Sequence, residues 1–260
     1  MTLRWVPGWN GLTEPEAVSY VAAVEAADGQ ELEFGVAKAI NDFVLGCKND
    51  GIWDAIKASC ILAGARTLAG ALVPLVGTAP TNYNFVSGDY NRETGLKGDG
   101  STKYLNSNRN NNADPQDSQH ISVYSTQAPS TGVRMYIGAG GSYGATGSSQ
   151  INTISLNSGV AQRSRSSASV GFDNLGYLTG LYGNSRNSSS SYFYRYGGNA
   201  GTVSQSSQAP FNANIQIYAN EASLLSNARL AFYSIGEALD LAKLDTRVSS
   251  LITAIGAAIP

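Results

Sequence analysis

The sequence predicts a mainly β protein: an antiparallel jelly-roll sandwich with an N-terminal helical unit and a C-terminal helix. Three observations predict it. Gly, Ser, Asn and Tyr crowd residues 76–220, a composition suited to short strands and tight turns. Short β-prone runs recur there with turn residues between them and no helix-length apolar pattern, which argues against a parallel α/β sheet. Ala-rich segments flank this zone on both sides. The expected organisation is an arm and helical unit over 1–75, a sandwich over 76–235, and a helix over 236–260.

The first zone opens on "MTLRWVPGWNG", an irregular arm with Trp5 and Trp9. "TEPEAVSYVAAVEAADG" reads as a helix, with Thr13 and Glu16 spaced as a capping box, Pro15 in the first turn and Gly29 past the end. "QELEFGVAKAINDFVLGCKND" reads as a second helix with Leu32, Val36, Ile40, Phe43 and Val44 on one face. "IWDAIKASC" is expected to add further helical turns. Cys47 and Cys60, with no histidine nearby, do not make a zinc site and are expected to be free, buried thiols of a protein made in a reducing cytoplasm.

The candidate strands are "YNFV", "KYLN", "HISVYST", "VRMYIGA", "QINTISLN", "SVGF", "YLTGLYG", "SYFYRYG" and "NIQIYAN". Between the second and third runs "YLNSNRNNNADPQDSQH", residues 104–120. Asn and Asp tolerate left-handed conformations and bond their own backbone, so this stretch reads as a loop inside the domain. His120, the chain's single histidine, then opens the next strand. In the last zone Leu241, Leu244, Val248, Leu251 and Ile255 fall at alternating steps of three and four, an a/d seam. It either packs on its own domain or bundles with copies of the chain, and a homotrimer is the favoured assembly.

Charged residues are 14% of the chain and the net charge is -2, so the basic footprint of a nucleic-acid binder is absent. The longest apolar stretch, "ILAGARTLAGALVPLVG", is broken by Arg66 and Pro74, and no membrane span is expected. The acids of the β zone show no pair at the strand spacing a glycosidase would use. No G-x-S-x-G elbow or P-loop occurs; "GAGGSYG" reads as a hairpin turn. Asp114 and Asp117 alone are a thin basis for calcium. No enzyme activity, cofactor or metal is expected. Two surfaces offer themselves for recognition. One is the Asn-rich loop with Asn108, Arg109 and Asn110. The other is "SYFYRYG", which puts Tyr192, Tyr194 and Tyr196 on one strand face and Phe193 and Arg195 on the other. The tyrosine face either stacks on sugar or belongs to a core or oligomer contact.

"GLKGDGSTKYLNS" (95–107) resembles an early strand of concanavalin A-like, laminin-G-like lectin sandwiches, and 209–248 resembles their closing strand and exit helix. Together with "NDFVLGCKNDGIWDAIKAS" and "AFYSIGEALDLAKLDTRV", the chain is similar to virion structural proteins of tailed bacteriophages. The resemblance implies a capsid decoration protein or short fibre located in the virion. The arm, through Trp5 and Trp9, and the helical seam would bind other virion proteins or further copies. The alternative it implies is a carbohydrate-binding adhesin at a tail-fibre tip, with host surface glycans as partners.

Overall fold

The computed structural model describes residues 11–130, 132–141, 145–154, 159–172 and 179–260. Helix α1 (Pro15–Asp28) starts later than a Thr13 cap would place it. A residue before proline is held extended, so Glu14 (φ -91, ψ 118) becomes the N-cap and the Thr13–Glu16 capping box does not form. The amides of Thr13 and Glu14 donate instead to Asn41 Oδ1, at 2.7 and 2.9 Å, from helix α2 (Phe34–Asn49). Gly29, at φ 66, ends α1 in the left-handed conformation that favours glycine.

The segment expected to continue as helix after α2 is a strand. After one 3-10 turn (Trp53–Ala55), β1 (Ile56–Ile61) buries Ala58 and Cys60 in the sandwich. It pairs antiparallel with a strand near the other end of the chain, and that pairing overrides the helical propensity of Ala55 and Ala58. The short helix α3 (Leu68–Ala71) follows. Then come β2 (Thr81–Tyr83), β3 (Tyr90–Asn91), β4 (Gly95–Lys97), β5 (Tyr104–Asn110), β6 (Gln119–Gln127), β7 (Met135–Ala139) and β8 (Ser148–Ile154). Next are β9 (Gly159–Ser166), β10 (Val170–Phe172), β11 (Gly180–Arg186), β12 (Tyr192–Tyr196), β13 (Asn199–Val203), β14 (Asn214–Ile217) and β15 (Arg229–Gly236), before helix α4 (Leu241–Ala258).

These strands form two antiparallel sheets packed as a sandwich. One has the order β13-β12-β11-β6-β15-β4-β3, with β1 also on β15. The other has the order β10-β9-β8-β7-β14-β5-β2. The Asn-rich stretch therefore carries the chain from one sheet, at β5, to the other, at β6. Because β1 pairs with β15, the 1–75 and 76–235 segments share one sheet.

Alternation of side chains makes two cores. Between the sheets lie Leu105, Ile121, Val123, Ile151, Val160, Tyr182 and Ile235. On the outer face of the larger sheet, Leu181 and Phe232 meet α1, α2 and α4, with Phe43 edge-on to Phe232 at 5.6 Å between centroids. The seam Leu241, Leu244, Val248, Leu251 and Ile255 is buried, and all of it but Leu241 belongs to this second core. It is spent inside one chain, which corrects its assignment as a contact between copies. Arg247 of α4 also grips Asp50, Nε to Oδ2 at 2.7 Å, at the end of α2. Cys47 and Cys60 are free, buried thiols, each pushed up to about 12 by burial.

Candidate functional site

A concavity of about 650 Å³ lies between the β12–β13 hairpin and the start of α4. Its floor follows from strand alternation. Tyr192 and Tyr196 point into the sandwich and are buried; the Tyr192 hydroxyl donates to Gln162 O at 3.0 Å. Tyr194 is half-buried, stacked on Tyr196 at 5.6 Å and packed on Phe172 at 4.2 Å. The tyrosine face is thus core, correcting its assignment as a sugar-stacking face for Tyr192 and Tyr196. The opposite face carries Phe193, 46% exposed, and Arg195. In register across the hairpin, Phe193 stands beside Thr202 and Arg195 beside Ala200.

The wall is the entry to α4, held to the sheet in part by the Ser185 hydroxyl. Ser185 Oγ donates to Leu239 O at 2.7 Å and accepts from Leu239 N at 3.0 Å. Asp240 caps the helix, its Oδ1 accepting from Ala242 N at 2.8 Å and Lys243 N at 3.2 Å, which satisfies orphan donors of the first turn. The helix can lie this close because position 183 is glycine: a Cβ there would come within 2.8 Å of Leu241 Cδ2. Arg195 Nε donates to Asp245 Oδ2 at 2.5 Å, tying floor to wall.

The end of the groove is Asn187, placed by the buried residue beside it. Among the described residues Arg186 has no carboxylate in contact; its guanidinium donates to four carbonyls instead. Nε reaches Ser164 O at 2.9 Å, Nη1 reaches Ser188 O at 2.9 Å and Ser191 O at 3.1 Å, and Nη2 reaches Gln205 O at 3.1 Å. It also lies over the Tyr192 ring at 5.4 Å. One side chain therefore fixes the 188–191 loop to β9 and the 205 strand exit. Asn187 and Thr202 are exposed on the groove, and their side chains have no hydrogen-bond partner among the described residues.

The Asn-rich stretch is a different kind of place, and its first part, Tyr104–Asn110, is strand β5 where a loop was expected, so only the residues after Asn110 form the connection to β6. Asn108, Arg109 and Asn110 line a small pocket of about 170 Å³ with Lys57 and Thr78. Their polar atoms are largely engaged in holding the end of β5 to its neighbours. Asn108, at φ 57, donates through Nδ2 to Ala79 O at 2.9 Å and to Thr81 Oγ1 at 3.0 Å. Arg109 pairs with the buried Asp114. Asn110 Nδ2 donates to Asn212 Oδ1 at 2.9 Å. His120, the second residue of β6, is fully buried, with Nδ1 2.6 Å from Glu237 O and Nε2 2.5 Å from Ser234 Oγ; burial pushes the imidazole down to about 4. It bridges β6 to the end of β15 and faces no cleft. Trp5 and Trp9 lie outside the described residues. Among the described residues no group of three or more His, Cys, Asp or Glu is placed to hold a metal ion.

Sequence reasoning named Phe193 and Arg195 but favoured the other face of their strand. It missed Asn187, Thr202, Leu239 and Asp240. The available signal was Arg195: the strand face that carries an arginine is the one to place at solvent.

No family model and no curated protein sequence matches the chain. Solved structures match its fold. The botulinum neurotoxin serotype D binding domain aligns at TM-score 0.50 and 11% identity over 76% of this chain and 51% of that one. The binding domain of botulinum neurotoxin DC in complex with rat synaptotagmin II aligns at TM-score 0.50 and 12% identity over 76% of this chain and 52% of that one. At such identities the likeness speaks for the fold: a lectin-like β-sandwich. The chain spans about half the length of these structures.

Proposed function

We propose that the chain is a receptor-binding module, a carbohydrate-recognising adhesin that acts without turnover, and that the groove between the β12–β13 hairpin and α4 is its ligand site. The observation that carries this reading is the exposed Phe193 ring beside the unpartnered Asn187 amide and Thr202 hydroxyl. An exposed aromatic face with a few convergent polar groups in a concave site is what a sugar ring needs: an apolar platform for its C–H face and hydrogen-bond partners for its hydroxyls. The fold neighbours support it, being binding domains by name, one of them in complex with rat synaptotagmin II. The adhesin would be displayed on the outside of a virion, after synthesis in the host cytoplasm.

A second reading, a decoration protein or short fibre that only joins virion proteins, rests on the resemblance carried by residues 41–59 and 231–248. A glycan array separates the two. The adhesin reading expects wild-type protein to bind a defined set of glycans, and Phe193→Ala to lose about tenfold or more in affinity. An array silent for the wild type sinks the adhesin and leaves the structural reading.

A further inference from the structure

We infer that the groove takes an uncharged sugar ring; this rests on the groove being the ligand site. The reason is where its charges go. The charged side chains lining it are Arg195 and Asp240. Arg195 is already neutralised by Asp245, whose other carboxylate oxygen accepts from Ser249 Oγ at 3.1 Å. The pair is partly buried, with side chains 21% and 15% exposed, so an incoming carboxylate would have to displace Asp245 in a partly desolvated setting. The Asp240 carboxylate stands at the groove wall, where it caps α4, and would repel an anionic ligand. The nearby cations of α4 are turned away from the groove: Lys243 Nζ donates to Asp50 O at 2.9 Å and Arg247 pairs with Asp50, both at the end of α2. Among the described residues lining the groove, no free cation remains to receive a sialic acid carboxylate or a sulfate. The groups that stay open are neutral: a phenyl ring, an amide and a hydroxyl. In register, Phe193 and Thr202 lie side by side, so a pyranose stacked on the ring presents an edge hydroxyl to Thr202, with Asn187 at the groove's end.

The test is calorimetric titration of the wild-type chain with neutral oligosaccharides and their sialylated and sulfated counterparts at two salt concentrations. The expected result is binding of neutral glycans, acidic counterparts weaker by about tenfold or more, and less than about a twofold change in neutral-glycan affinity between roughly 0.05 and 0.5 M salt. In Asp245→Asn, which releases Arg195, the gap between acidic and neutral ligands is expected to narrow. A wild-type preference for acidic glycans, or affinity that falls steeply with salt, overturns the inference and leaves the groove as a glycan site. Failure of every glycan to bind overturns the inference and the adhesin reading together. The wild-type titrations decide between these outcomes even if the variant does not fold.

Discussion

Arg195 on β12 and Asp245 on α4 meet at 2.5 Å and close one side of the groove, joining the sandwich to its C-terminal helix. The pair is partly buried, and its loss leaves a guanidinium facing an amide. Asp245→Asn is expected to cost on the order of 1 kcal/mol, which for a chain of this size lowers Tm by about 2–4 °C. Thermal unfolding followed by circular dichroism checks this. An unchanged Tm would mean that the contact between sheet and helix does not need the charge.

His120 gives the protein an acid-sensitive joint. Its folded pKa is pushed from 6.5 down to about 4 by burial, so the unfolded chain binds the proton more readily. The stability it contributes is complete above pH 6.5 and is lost as pH falls towards 4, by up to roughly 3 kcal/mol. Denaturant midpoints measured across that window are expected to fall in the wild type. The fall should be shallower in His120→Gln, whose amide keeps polar atoms near Glu237 and Ser234 without a titrating group. Parallel profiles would contradict the assignment.

The sandwich was legible because alternation and turn residues are local signals, and so was α4, whose apolar steps fit one face. The seam's partner was not legible: periodicity shows that a face is buried and leaves open what covers it. β1 was misread because Ala55 and Ala58 favour helix while the pairing of β1 with β15 is long-range. β9 was invisible for another reason. "GVAQRSRS" looks like a solvated loop, yet all eight residues are buried, because Arg163 and Arg165 spend their charges on carbonyls and hydroxyls. The groove was half legible. Phe193 and Arg195 sit on a recognisable strand, whereas Asn187 and Asp240 join them only through tertiary contacts of Arg186 and Ser185.

Arg186 is the least replaceable of these residues. Removing its guanidinium orphans the carbonyls of Ser164, Ser188, Ser191 and Gln205. Arg186→Met is expected to destabilise the fold by about 3–5 kcal/mol. Arg186→Lys should rescue little, since an ammonium cannot span the same fork of acceptors. Urea unfolding of the two variants checks this; a lysine variant of near wild-type stability would contradict it.

Leu244 is fully buried between α4 and the rest of its own chain. Leu244→Ala is expected to cost about 2–5 kcal/mol while leaving the mass in solution unchanged, as read by sedimentation. A drop in mass would show that the seam joins copies of the chain.

The most direct measurement is a map of where a bound glycan perturbs the molecule. Amide chemical shifts of the full chain are followed as the tightest array ligand is added. The changes are expected to centre on Asn187, Phe193, Thr202 and Leu239–Ala242, and to vanish in Phe193→Ala. Changes confined to Asn108–Asn110 and the small pocket around Lys57 would contradict it.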